Sequence, residues 1–197
     1  PNMPRVRELA AEEIQDPEAR EIYHRFARDY GPFLNQVKVF AHRPPALKHI
    51  MGLLLDLADE VVLPKRYLEI ALVTVSQLNA CTYCVAHHAP RMTDQGFAPD
   101  AAAHILDPEV PGFDVVDHLV RDFAREVTEN FQYIRDDAFD KLRVYFSEEQ
   151  IVELTLRSAL CGFFNRFNDV MQLSIEDSAM VEFTDKGGEI AHLPAAE

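Results

Sequence analysis

The segment Pro64–His88, PKRYLEIALVTVSQLNACTYCVAHH, decides the fold. Pro64 suits a first helical turn, where a missing amide costs nothing, and Leu68, Leu72 and Val75 then recur at helical spacing. The pattern resumes behind Asn79 and runs to about Gln95, with Gly96 placed to end it. Breakers extend this reading to the whole chain. All 12 prolines avoid the spans 46–63, 65–89 and 112–193, and glycine occurs only 7 times. The intervening segments carry apolar residues at helical intervals, so the chain is all-α.

Other helix boundaries are legible. Asp16-Pro17 reads as an N-cap followed by a first-turn proline, with Gly31 ending that helix behind Tyr30. A second helix is expected from about Phe33 to Ala41. Pro44-Pro45 opens a third with Leu47, Ile50, Leu54 and Leu57 on one face. Pro99, Pro108 and Pro111 punctuate a loop-rich passage in which one short helix is expected. Beyond it, helices are predicted near Asp114–Asn130, Asp137–Tyr145 and Glu148–Leu173, the last behind the capping box Ser147-Glu148-Glu149-Gln150.

The same segment carries the chemistry. Cys81 and Cys84 are three residues apart and Cys84 and His88 four apart, so on a helix they share one stripe. With Asn79 as N-cap, Cys81 falls in the first turn and Cys84 just behind it, where unpaired amides favour negative charge and make both thiols more acidic. A thiolate, a base to generate it, and a second sulfur to close a disulfide are what dithiol redox chemistry needs. Glu69 supplies a carboxylate within the same stretch.

Composition fits this class. The chain has three cysteines in 197 residues, too few for a secreted disulfide scaffold, and a lone C-x-x-C in a reducing compartment points to redox or metal chemistry. Pro1 to Arg7 has no apolar core of the signal-peptide kind, and the longest apolar run, Ile50 to Leu55, is too short to span a bilayer. A cytoplasmic location is expected, with no membrane partner. The 33 acidic against 19 basic residues give a net charge of −14, which repels phosphate backbones and argues against nucleic acid. A hydrophobic content of 48 % is enough for a real core, and residues 1–197 read as a single all-α domain.

A shift of 84 positions lays Glu69-Ile70-Ala71-Leu72 over Glu153-Leu154-Thr155-Leu156, and Cys81-Thr82-Tyr83-Cys84 over Asn165-Arg166-Phe167-Asn168. The expectation is a weak two-fold repeat, about 31–96 and 112–175. The second copy keeps its Glu and loses the thiols and the His. Asn165, Arg166 and Asn168 are then candidates to cap or pair across the repeat.

Glu69, eleven intervening residues, then Cys81-x-x-Cys84-x-x-x-His88, set in Leu68-Glu69-Ile70-Ala71 and Gln77-Leu78-Asn79-Ala80-Cys81, resembles the carboxymuconolactone decarboxylase superfamily and its alkylhydroperoxidase D-like branch. The resemblance implies a helical bundle of that type, a homo-oligomer, and thiol-dependent reduction of hydroperoxides with no added cofactor. Carried over by position, Cys84 would attack the peroxide, Cys81 would resolve the product, and His88 with Glu69 would relay the proton. A dithiol protein or lipoyl-bearing adaptor would restore the thiols. One departure is Tyr83, where better-known alkylhydroperoxidases tend to carry His; a neutral phenol is a poor base, and His87 is the candidate substitute. The C-x-x-C pair argues against lactone decarboxylation.

Each residue also has a plainer reading. A cysteine is more often a small core hydrophobe than a reagent, and Cys161, with no partner at ligand or disulfide spacing, keeps that reading. The close pair with a following His reverses it for Cys81 and Cys84. Glu69 could lie on a solvated face, although its apolar neighbours favour burial beside a partner. His87 is expected at the surface, and His42, His49, His104, His118 and His192 belong to no constellation. Phe33, Phe40 and Tyr67 are candidates to line a substrate pocket. Two rivals remain: a structural zinc site, short of its usual four ligands, and a non-catalytic oligomeric scaffold.

Overall fold

The computed structural model describes residues 3–194, which form helices joined by turns, with no strand among the described residues. The helices are α1 (Pro17–Arg25), α2 (Leu34–Phe40), α3 (Pro44–Ala46), α4 (Gly52–Asp59), α5 (Lys65–Leu78), α6 (Thr82–Asp94), α7 (Val115–Glu129), α8 (Asp136–Tyr145), α9 (Glu148–Met171) and α10 (Asp177–Asp185). The all-α expectation holds, and the boundaries fall close to the predicted ones. Backbone contacts gather residues 3–61 with 168–181 into one compact unit, and residues 62–167 with 182–194 into another.

In the first unit, Asp16 accepts from the amides of Glu18 and Ala19 at 3.0 and 3.1 Å, the cap that its sequence position announces. The helix continues past Arg25 as a wider turn over Phe26–Tyr30, where Phe26 stacks on Tyr30 and meets Phe33 edge-on. Gly31, at φ 128°, ends it in a conformation that side chains rarely adopt.

The second unit is built on α5, which is buried on every side from Glu69 through Ser76. Such a helix must be covered all round, and it packs against α6 and α7. Ile70, Val73 and Val75 are fully enclosed, each contributing roughly 1.5–3 kcal/mol of apolar burial. α7 begins with a reciprocal cap in which Asp114 accepts from the Asp117 amide at 2.8 Å and Asp117 from that of Asp114 at 2.9 Å. Asp117 also binds the Arg66 guanidinium at 2.8 Å, and that guanidinium sits 4.3 Å from the centre of the Phe97 ring. The capping box of α9 forms as read: Gln150 accepts from the Ser147 amide at 2.9 Å, and its own amide donates to Ser147 Oγ at 3.2 Å.

Three local expectations need correction. No helix forms between Phe97 and Asp114; hydrogen-bonded turns at Ala98–Ala101, Asp100–His104 and Val110–Phe113 satisfy that backbone instead. α10 lies in a segment for which no helix was read. Asn79 does not cap α6, because its side chain is engaged elsewhere and the role passes to Cys81.

Candidate redox site

α5 and α6 meet at a tight turn. The helix ends at Leu78, Asn79 is its C-cap, Ala80 takes a left-handed conformation (φ 51°), and Cys81 becomes the N-cap of α6. The Cys81 amide donates back to the Ser76 carbonyl at 3.0 Å. Cys81 therefore stands just outside the helix and Cys84 occupies its third position, two steps from the sequence expectation. The Cys84 amide donates to Cys81 Sγ at 3.3 Å, so the sulfur fills the place that a serine or aspartate oxygen fills in an ordinary cap. Helix-start amides and their dipole favour negative charge at this position, which is the field that makes a cysteine reactive.

Cys81 and Cys84 are joined in a disulfide, with their Cα atoms 5.3 Å apart. Both are buried, Cys81 fully and Cys84 to within a few per cent. Thr82, between them, hangs its hydroxyl on the carbonyl of Pro194.

Glu69 from α5 and His88 from α6 face each other inside the same helix pair. His88 Nδ1 donates to Glu69 Oε2 at 3.0 Å, and both side chains are buried. This contact fixes the tautomer: with the proton on Nδ1, Nε2 is the basic nitrogen. Burial pushes the His88 pKa below its ordinary 6.5, outweighing the pull of the Glu69 carboxylate toward the charged form. The ring is thus neutral at physiological pH and able to accept a proton.

His87 is not at the surface. It is buried, its Nδ1 donates to the Tyr83 carbonyl at 2.7 Å, and its ring lies 4.2 Å from that of Tyr83. The helical i, i+4 relation and the tilted ring contact with Tyr83 draw it inward, a pairing that the spacing of the two aromatic rings could have signalled. Tyr67 packs edge-on against Phe146, while Phe33 belongs to the aromatic cluster with Phe26. Cys161 is buried beside Ser76 Oγ at 3.4 Å, and desolvation pushes its thiol up to about 11. Among the described residues, no three His, Cys, Asp or Glu side chains are placed to hold a metal ion, and none of the helices is long and apolar enough to cross a membrane.

Residues 44–113, which contain Glu69, both paired cysteines and His88, match the sequence profile of the carboxymuconolactone decarboxylase family. The match is to that stretch and not to the whole chain. No curated protein sequence matches the chain. Among solved structures, the fold is similar to a peroxidase-related protein from Ralstonia eutropha JMP134 described as an alkylhydroperoxidase AhpD core, with TM-score 0.78, 20 % identity, and coverage of 91 % of this chain and 96 % of that one. A peroxidase-related protein from Silicibacter sp. TM1040 superposes with TM-score 0.73 at 21 % identity, covering 92 % and 100 %. The debrominase Bmp8, solved with 2,3,4-tribromopyrrole, gives TM-score 0.72 at 19 % identity, covering 92 % and 97 %. The fold of the chain is therefore AhpD-like.

The second-half counterparts are built differently. Glu69 and Cys81 lie on two helices separated by the turn at 79–81, whereas Glu153 and Asn165 lie on the one uninterrupted helix α9. Asn165 does pair toward the first half, accepting from Asn79 Nδ2 at 2.9 Å. Arg166 turns back to the Gly162 carbonyl of its own helix, and Asn168 accepts from Gln36 at 2.9 Å.

Proposed function

We propose that the protein is a thiol-dependent peroxidase that reduces alkyl hydroperoxides through a Cys81/Cys84 dithiol–disulfide cycle. The observation that carries this reading is the disulfide at the start of α6, beside a buried Glu69–His88 pair. In the reduced protein, His88 accepts the Cys84 proton at Nε2 while Glu69 steadies the ring through Nδ1. The Cys84 thiolate attacks one peroxide oxygen, the O–O bond breaks, and the alcohol leaves with a proton, giving a sulfenic acid on Cys84. The Cys81 thiol condenses with it and expels water. The sum is one hydroperoxide and two thiols converted to one alcohol, one water and the disulfide. An external dithiol, on a protein or a lipoyl group, then reopens the disulfide by exchange.

The burial of the two cysteines supports these roles. Cys81 is fully enclosed and bonded to the Cys84 amide, as a resolving sulfur can be, while Cys84 is the slightly more accessible one. The test counts free thiols in the reduced protein before and after one equivalent of an organic hydroperoxide, with Cys84→Ser and Cys81→Ser alongside. Loss of two thiols in the wild type, and no peroxide consumption by Cys84→Ser, is the expected outcome. Thiols that remain titratable with the peroxide intact would overturn the reading; a bromopyrrole as second electrophile then shows whether the pair serves dehalogenation instead.

A further inference from the structure

One side chain outside the motif ties down both ends of the turn that presents Cys81. Asn165, in the C-terminal third of α9 and 1 % exposed, accepts from Asn79 Nδ2 through Oδ1 at 2.9 Å and donates through Nδ2 to Ser76 Oγ at 3.2 Å. Ser76 is the residue whose carbonyl receives the Cys81 amide, and Asn79 stands two places before Cys81. Between them Ala80 holds φ 51°, a conformation that a residue with a Cβ keeps only when its surroundings impose it. Of the uncharged side chains of this size, asparagine alone offers a donor and an acceptor on one short fork. Gly162, one helical turn before Arg166, also faces the turn: a Cβ there would stand 4.0 Å from Asn79 Nδ2, an ordinary contact distance, and 3.1 Å from the end of the Arg166 side chain.

We infer that Asn165 is a positioning residue for the Cys81–Cys84 couple, acting through Asn79 and Ser76 to hold the turn in the geometry in which the two sulfurs meet. The inference rests on the dithiol reading of the site. It does not depend on what the dithiol reduces. Two thiols held near their bonded geometry close a disulfide at higher effective concentration than two on a loose turn. Releasing the tether therefore favours the open dithiol.

The experiment equilibrates the protein with mixtures of reduced and oxidised glutathione and reads the fraction of open Cys81/Cys84 by alkylation and mass. Asn165→Ala and Asn79→Ala are each expected to shift the equilibrium roughly fivefold toward the dithiol, and the double variant no further than the stronger single, because both break one connection. Asn165→Asp, which keeps the acceptor for Asn79 and loses the donor to Ser76, should fall between. Asn79 is only half-buried, so its variant carries the test if Asn165→Ala fails to fold. Val120→Ala, in the core of α7, is the control that lowers Tm without moving the redox equilibrium. Asparagine variants that lose Tm and keep the wild-type equilibrium would reduce Asn165 to packing and overturn the inference. Since no peroxide enters the assay, a shifted couple in a protein that leaves hydroperoxides untouched sinks the peroxidase reading alone. A wild-type disulfide that no thiol opens sinks both.

Discussion

Glu69 and Glu153 are the same side chain, 84 positions apart, buried to 5 % and 9 % exposure, and they do different things. Glu69 accepts from an imidazole in the helix that carries the cysteines. Glu153 accepts from the backbone amide of Leu63 at 3.1 Å, where the chain enters α5. Burial alone does not make a carboxylate part of a site. A partner that can itself exchange a proton does; a partner that is a peptide amide makes the carboxylate a structural clasp.

The sharpest division between the two regions is in turnover. His88→Ala should lower kcat/KM for a hydroperoxide by about a hundredfold or more, the usual worth of a positioned base, and should also lower Tm, because the buried Glu69 carboxylate loses that donor. Glu69→Gln keeps the shape and removes the charge, and a loss of about tenfold is expected, since it orients the base instead of being one. Glu153→Leu should do the reverse: unchanged turnover, with unfolding free energy lower by about 1–3 kcal/mol because the Leu63 amide is left buried without an acceptor. Equal damage to turnover from Glu69→Gln and Glu153→Leu would erase the distinction.

Acid titration sharpens it further. His88 has a folded-state pKa below 6.5, so as pH falls through 6.5 the unfolded chain takes up a proton that the folded protein resists. Stability rises with pH up to that point and is lost below it. Urea unfolding between pH 5 and 7.5 should therefore show a steeper acid loss in the wild type than in His88→Gln. The smallest expected effect belongs to the turn between α5 and α6: Ala80→Gly should gain about 0.5–1 kcal/mol, because glycine accepts φ 51° without the Cβ penalty. A loss there would mean that backbone stiffness at the turn outweighs its strain.

Proline spacing, the Asp16 and Ser147 caps and the apolar period of α5 placed most helices from sequence, because each is a local signal with a local cause. The Glu69–His88 pairing was expected through the family resemblance and not from a local signal. The start of α6 was not legible in the sequence. Asn79 has the chemistry of an N-cap, but α9 competes for its side chain through Asn165, and that competitor lies 86 residues away. Tertiary partners of this kind leave no local trace. His87 is a different case, because its partner Tyr83 lies four residues away on the same helix and the spacing of the two rings is a local signal.

The buried Cys161 has a practical meaning. A thiol whose pKa is about 11 is thiolate in only about one molecule in a thousand at pH 8, and Cys161 is buried in the folded chain. In the reduced, folded protein Cys161 should therefore react slowly with an alkylating reagent, its label arriving as the core around α5 and α9 opens. The chain carries its own clock for global unfolding, timed by the rate at which that last sulfur is captured.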